Sequence, residues 1–344
     1  MNENNDSNYK GVAVVTGASA GLGRAIVREF AKQGYDVGLL ARGLDGLEGA
    51  KKEVAALGRK SVYVQVDVAD ADAVEEAAAK IEEELGEIDV WVNNAMNSVF
   101  SPVKKMKANE YKRVTEVTYL GQVYGALSAL KRMLPRDRGS IVFVGSALAY
   151  RGIPLQSAYC ASKHAIQGFY DSLRTELMHD KSNVKITMVQ LPAMNTTQFG
   201  FVKTRLPNKP RPMGTIYQPE VAAEVIAYAA EHERREYRVG YSTLEAIIGN
   251  KIAPWYADFV LANNAIEGQQ TEEPEDPNRD HNLWDPIPGD HGAHGSFDDQ
   301  ATYSSPQVWL SLHRDSILKG ALALGGVVLG GLLAQKWVNE EDDE

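Results

Sequence analysis

Cys160 is the one cysteine in 344 residues, so no internal disulfide can form and the chain suits a reducing compartment such as the cytosol. Basic residues number 36 against 46 acidic ones, for a net charge of −10, and they form no basic stripe. That balance argues against a nucleic-acid partner, whose phosphates call for clustered cations. Residues 1–8 (MNENNDSN) hold no apolar run, so no secretory signal is expected there. No internal repeat is visible. The three histidines His281, His291 and His294 fall in an acidic, proline-rich stretch and are read as solvated, so no metal site is expected.

What the chain does have is an alternation. Strand-like apolar runs occur near 12–16, 36–41, 61–66, 88–93, 140–145, 184–191 and 237–241, with helical patterns between them. That rhythm belongs to an α/β domain with a doubly wound parallel sheet. It continues to about residue 266, so one Rossmann-like domain is expected over 10–266, after a flexible 1–9. The first strand-like run breaks into Gly17-Ala18-Ser19-Ala20-Gly21-Leu22-Gly23, and an amphipathic helix follows. Its periodicity places Ile26 and Phe30 inward and Arg24, Arg28 and Lys32 outward. Glycines in such a turn remove Cβ atoms, so backbone N–H groups and the helix N-terminus can approach a pyrophosphate.

Further along, Tyr159 and Lys163 stand four residues apart in a helical pattern, which places them on one face. A nearby cation favours the phenolate, so Lys163 is expected to lower the pKa of Tyr159. Ser146, just past the run Ile141–Val144, can present a hydroxyl to the same substrate oxygen. Cys160, between the two, is expected to be a small packed helix residue.

Together these segments resemble the short-chain dehydrogenases/reductases, over roughly Lys10 to Ile266. Thr16-Gly17-x-x-x-Gly21-x-Gly23 is similar to that family's cofactor motif, Asn93-Asn94-Ala95 to its strand-four motif, and Asp67-Val68 to its adenine-binding pair. Ser146, Tyr159 and Lys163 match its catalytic residues in order. The resemblance implies hydride transfer at a carbonyl or alcohol. Tyr159 would be the general acid or base, Lys163 would also hold the nicotinamide ribose, and Ser146 would steady the reacting oxygen. It further implies cofactor contacts from Gly17, Ser19, Ala20, Gly21, Leu22, Gly23, Asn94, Ala95, Pro192 and Thr196, and assembly as a homodimer or homotetramer.

The sequence departs from the family pattern in places. Thr118 stands where the family usually has a catalytic asparagine, which would slow or reroute proton delivery. Met96 replaces a common glycine; it either crowds the cofactor and substrate side or packs in a reshaped loop. Ala193 replaces a frequent glycine. Residues 197–217, with Phe199, Phe201, Leu206 and Met213, are the expected substrate lid; a hydrophobic substrate and plain packing explain them equally well. At the end of the second strand the usual acid is Ala41, followed by Arg42. An acid there would hold a ribose 2′-hydroxyl, whereas arginine accommodates a 2′-phosphate, so NADP(H) is favoured over NAD(H). Asp45 is expected to cap the next helix.

Residues 267–305, rich in Glu, Asp and Pro, are read as a disordered linker unable to bury a core. Beyond it, 306–344 is a hydrophobic, glycine-rich tail. Sixteen uncharged positions separate Lys319 from Lys336, slightly short of the ~20 a spanning helix prefers. This C-terminal helix is a candidate membrane anchor, with the catalytic domain cytoplasmic and a membrane lipid as candidate substrate. The leading expectation is thus an NADP(H)-dependent oxidoreductase acting on a hydrophobic small-molecule carbonyl or alcohol, with Tyr159 as general acid or base. The alternative is a nucleotide-sensing or scaffold protein on the same fold with impaired catalysis.

Overall fold

The computed structural model describes residues 8–317 and residue 319. Seven strands form its central sheet: β1 (Gly11–Thr16), β2 (Tyr35–Ala41), β3 (Ser61–Gln65), β4 (Ile88–Asn93), β5 (Ser140–Val144), β6 (Lys185–Gln190) and β7 (Glu236–Arg238). Their order is β7-β6-β5-β4-β1-β2-β3, and every pairing is parallel. β1, β2 and β5 are buried along their whole length, as continuous apolar runs in a sheet covered on both faces must be. All seven expected strands are present, with ends shifted by a few residues at most.

Helices α1 (Gly21–Lys32), α2 (Leu44–Ala56), α3 (Ala71–Leu85), α4 (Ala108–Thr115), α5 (Gly121–Met133), α6 (Ser157–His179) and α7 (Pro219–Glu231) cover the sheet. Val74 and Ile81 of α3, Ala126 and Met133 of α5, and Ile166 and Tyr170 of α6 pack against Trp91, Ile141 and Phe143 in one cluster. A π-helical turn, Glu116–Leu120, joins α4 to α5. Two further helices, α8 (Tyr241–Ile252) and α9 (Pro254–Asn264), follow β7. The strand order reverses between β1 and β4. At such a switch point the connecting loops leave in opposite directions and open a crevice beyond the strands' carboxyl ends.

The chain divides into two compact units, 1–305 and 306–344. The expectation of a disordered linker at 267–305 is corrected here. Gln270–Pro274 pairs antiparallel with Asn208–Pro210, and Ala301–Thr302 pairs parallel with Ile216–Tyr217. Leu283, Ala293 and Phe297 are buried. Phe297 joins Phe199, Val202 and Leu206 in a second small core. The segment's few apolar residues could not build a core alone, but they complete cores already formed by the rest of the unit. In the second unit 306–317 is helical, and Trp309 stacks on His313. Among the described residues no helix is long and apolar enough to cross a membrane; the candidate anchor, apart from its first residues, lies outside them.

Candidate active site

The glycine turn is shaped by what it lacks. Gly17 has φ +71°, a conformation that side chains disfavour, and a Cβ on Gly23 would fall 2.0 Å from the Gly17 carbonyl oxygen. Only hydrogen fits at either place, which leaves a backbone-walled cradle at the N-terminus of α1. Across the switch point, the Thr16 hydroxyl accepts hydrogen bonds from the N–H groups of Asn94 (2.9 Å) and Ala95 (3.0 Å). The Asn94 side-chain amide returns one to the Thr16 carbonyl at 2.9 Å. These bonds fix the ends of β1 and β4 side by side, with the cradle facing the cleft. A close-approach turn opening a helix fits a dinucleotide pyrophosphate.

The chemistry-bearing residues come from β5 and α6. Ser146 lies just past β5; its N–H donates to Gln190 Oε1 at 2.7 Å and its hydroxyl accepts from Leu148 N–H at 3.1 Å. Gln190 in turn donates to Gln167 at 3.1 Å, so a buried side-chain relay sets the Ser146 loop. Tyr159 occupies the first turn of α6, with the Lys163 ammonium 5.5 Å from its ring centre. Lys163 is buried and donates to the Val144 carbonyl at 2.6 Å. Burial lowers its pKa to about 7. Burial also pushes the Tyr159 phenol well above its ordinary value, against a smaller downward pull from its hydrogen bond with Ser146. The expected lowering of Tyr159 by Lys163 is therefore absent from this form of the site. The lysine is itself desolvated and engaged with the main chain.

A cleft of about 810 Å³ holds these groups, within the usual range for small-molecule sites. Gly17, Ser19, Ala20, Gly21, Leu22, Gly23, Arg42, Asp67, Val68, Asn94, Ala95, Ser146, Tyr159, Lys163, Pro192 and Thr196 all line it. So do Met96 and, from the expected lid, Phe199, Phe201 and Met213, whereas Leu206 packs in the second small core. Thr118 stands apart: it is buried, donates to the Asn97 carbonyl at 2.9 Å and accepts from Asn97 N–H at 3.0 Å. Cys160 is buried on α6, where burial raises its thiol.

Composition concealed one wall of the site. Residues 282–292 cross the outside of the cradle as a strap, and Asn282, Pro286, Ile287, Gly289 and His291 line the cleft. The Gly21 N–H donates to the Gly292 carbonyl at 2.9 Å. Arg24, expected on the outer face of α1, is buried instead. Its guanidinium donates to the carbonyls of Ser19 (3.0 Å) and Gly46 (2.8 Å), to Glu53 (2.8 Å) and to Asp290 (3.0 Å). Burial would raise the Asp290 carboxyl, but the hydrogen bonds from Arg24 and the Gly292 N–H, with the charges of Arg24 and His291, together outweigh it and hold the group below its usual range. Asp45 does not cap α2, whose cap position is Gly43; its carboxylate accepts from Gly289 N–H at 2.6 Å.

Arg42 reaches the cleft rim as expected, but its guanidinium donates to the carbonyls of Asn282 and Trp284, both at 2.6 Å. Asp67 is paired with Arg113, which also donates to the Leu283 carbonyl at 3.0 Å. The histidines expected in solvent are engaged as well. His281 meets Lys203 at 2.9 Å, His291 packs on Phe201 with ring centres 5.3 Å apart, and His294 meets Glu220 at 2.9 Å. Nothing in the side chains of 282–292 signals a cleft wall, because most of these contacts use its backbone.

Comparison with known proteins agrees with this geometry. The short chain dehydrogenase family profile matches residues 11–205. The chain is 30% identical over 282 residues to the uncharacterized oxidoreductase YxnA of Bacillus subtilis, covering 81% of this chain and 79% of that one. It is 34% identical over 226 residues to 3-dehydrosphinganine reductase of Danio rerio, covering 62% and 66%. With human dehydrogenase/reductase SDR family member 7 it shares 38% over 170 residues, covering 48% of this chain and 50% of that protein; the chain thus spans half to two thirds of these two vertebrate relatives. Among solved structures, an alcohol dehydrogenase from the archaeon Thermococcus sibiricus complexed with 5-hydroxy-NADP superposes with a TM-score of 0.57 at 28% identity, covering 67% of this chain and 96% of that one. A metagenomic short-chain oxidoreductase in complex with NADP gives 0.58 at 27%, covering 68% and 98%. The fold, the cleft and these matches together make the chain a member of the short-chain dehydrogenase family of oxidoreductases.

Proposed function

We propose that this oxidoreductase is NADP(H)-dependent and interconverts a carbonyl and an alcohol on an apolar substrate. The observation that carries the reading is the meeting of Ser146, Tyr159 and Lys163 in one cleft with the glycine cradle. A bound nicotinamide would supply or accept the hydride there. Ser146 holds the reacting oxygen by a hydrogen bond and steadies its developing charge. Tyr159, whose burial keeps it protonated, gives its proton to that oxygen in reduction and takes it back in oxidation. Lys163, poised near neutrality, holds the ribose and replenishes the proton. Thr118, bonded to Asn97, acts behind the cleft by fixing the backbone after Met96.

NADP(H) is favoured by Arg42 at the rim and by Ala41 in place of an acid. The Arg42 donors left over from Asn282 and Trp284 can take a 2′-phosphate. The NADP complexes among the solved relatives support the same choice. Catalysis is read as cytoplasmic, with residues 320–335 attaching the chain to a membrane. Assembly as a homodimer or homotetramer through α5 and α6 is in keeping with the exposed Leu127 on α5. The test is Tyr159→Phe assayed against a panel of aldehydes, ketones and alcohols. Turnover by the native chain should fall at least a thousandfold in the variant, with NADPH binding retained. Native-like turnover in the variant would refute the role of Tyr159. Tight NADPH binding without turnover by the native chain would move the assignment to a nucleotide-sensing protein.

A further inference from the structure

Helices α8 and α9 leave much of their apolar surface uncovered, against the rule that a helix packs its apolar residues on the core. Among the described residues α9 buries none of its own, although it carries Trp255, Tyr256, Phe259, Val260 and Leu261. Tyr241, Ile252, Trp255 and Phe259 are 69%, 78%, 71% and 65% exposed, and Ile248 and Tyr256 are also exposed. Contiguous apolar surface of this kind marks an interaction site.

The other side of the same helix pair faces the cleft, with Ala246, Gly249, Ala253, Ala257, Val260 and Leu261 in its wall. Ile252 and Tyr256 belong to both sets, so the exposed patch runs without a break into the cavity that holds Tyr159. A Cβ on Gly249 would meet nothing within 4 Å, which leaves open space at this mouth. A second protein seated here would seal the mouth over the catalytic groups, whereas a lipid layer would feed it. Tryptophan and tyrosine are the residues that settle at the headgroup boundary of a bilayer. The pair carries three charged groups: Glu245 and Lys251 are exposed, Glu245 at the cleft wall, and Asp258 is tied to Arg151. The chain has a second element suited to hydrocarbon in its uncharged positions 320–335.

From this we infer that α8 and α9 seat on the interfacial layer of a lipid bilayer and that the cleft opens through them. The substrate is then a lipid that presents its carbonyl or hydroxyl to Tyr159 while its acyl chain stays between the helices. The inference rests on the reading of the cleft as a carbonyl or alcohol site, and its test is independent of turnover.

The full chain is mixed with phosphatidylcholine vesicles whose acyl chains are brominated, and tryptophan quenching is compared between the native chain and Trp255→Phe. A quenched component present in the native chain and lost in Trp255→Phe is expected. Residues 320–335 are shorter than a full span and hold the chain jointly with α8 and α9, as stable attachment takes two signals. In flotation with unlabelled phosphatidylcholine vesicles, W255E/F259E should therefore lower the bound fraction at least tenfold, with its urea midpoint and NADPH affinity unchanged. An unquenched Trp255 would overturn the inference. So would a W255E/F259E chain that floats as well as the native one, since residues 320–335 would then do the binding alone. Conversion of a native dimer to monomers by W255E/F259E without loss of vesicle binding would assign the face to a second copy and overturn it too. Failure of the catalytic reading shows separately, as undiminished turnover in Tyr159→Phe.

Discussion

Replacing Lys163 with methionine should stabilise the cofactor-free protein while disabling it. The lysine is buried beside the Val144 carbonyl, and burial brings its pKa from the ordinary 10.5 down to about 7. At 1.36 kcal/mol per pH unit, folding with Lys163 charged costs about 5 kcal/mol. Between pH 7 and 10.5 the unfolded chain holds a proton that the folded chain has released, so stability rises with pH through that window. The cost is complete below pH 7 and gone above 10.5. Methionine is of similar length and uncharged, and it gives up one hydrogen bond worth about 1 kcal/mol. The Val144 carbonyl keeps its bond from Gln122 at 3.2 Å, so nothing is orphaned. Lys163→Met should therefore be more stable than the native chain at pH 7 by about 4 kcal/mol. The gap should shrink by about 3 kcal/mol at pH 9.5, where the native chain has escaped most of the cost. Urea unfolding followed by circular dichroism at the two pH values measures both quantities. A variant less stable than the native chain at pH 7, or a gap that does not change with pH, would refute the electrostatic argument.

The other expectations concern the cofactor. Arg42→Ala should weaken NADPH binding by roughly 10- to 100-fold, the scale of one charge-assisted hydrogen bond, and NADH binding by much less. Equal losses for both, by fluorescence titration, would mean that Arg42 serves only to hold Asn282 and Trp284. Gly23→Ala places a methyl 2.0 Å from the Gly17 carbonyl oxygen, so the cradle must distort. NADPH affinity should drop at least tenfold while circular dichroism stays native, and unchanged affinity would show that the cradle is not used. Asp290→Ala removes a partner of buried Arg24 and should loosen the strap. Cleavage near residues 282–292 by a dilute protease should speed up several-fold and NADPH should dissociate faster; unchanged rates would show that the strap is held by its other bonds.

The sheet and most of the cleft could be foreseen because their signals are local. A buried parallel strand has to be a continuous apolar run, and a turn that meets a pyrophosphate has to lack side chains, so β1–β7 and the glycine cradle are visible residue by residue. The strap was not, for a physical reason. Composition reports whether a segment can bury itself, and 267–305 cannot. Its order comes instead from Leu283 and Phe297 filling cores made elsewhere, and from backbone carbonyls meeting Arg42 and Arg113. Arg24 was misplaced for a related reason. Helical periodicity sees only its own helix, and the carbonyls of Ser19 and Gly46 that receive its guanidinium lie on other segments.

The strap also sets an order of events during synthesis. Arg24 and Asp290 are 266 positions apart, Asp45 and Gly289 are 244, and Arg42 and Trp284 are 242. At about 5–20 residues per second on the ribosome, roughly 13–50 s separate the first of each pair from the second. Throughout that interval the nascent cradle has Glu53 and the carbonyls of Ser19 and Gly46 to hold Arg24, and it has no outer wall. The last part of the first unit to be made is thus what finishes the nucleotide site at the start of the chain. A ribosome-stalled chain with residues up to about 266 outside the tunnel would fold its sheet with that site still open to solvent, and dinucleotide retention would begin only once residues 282–292 had emerged.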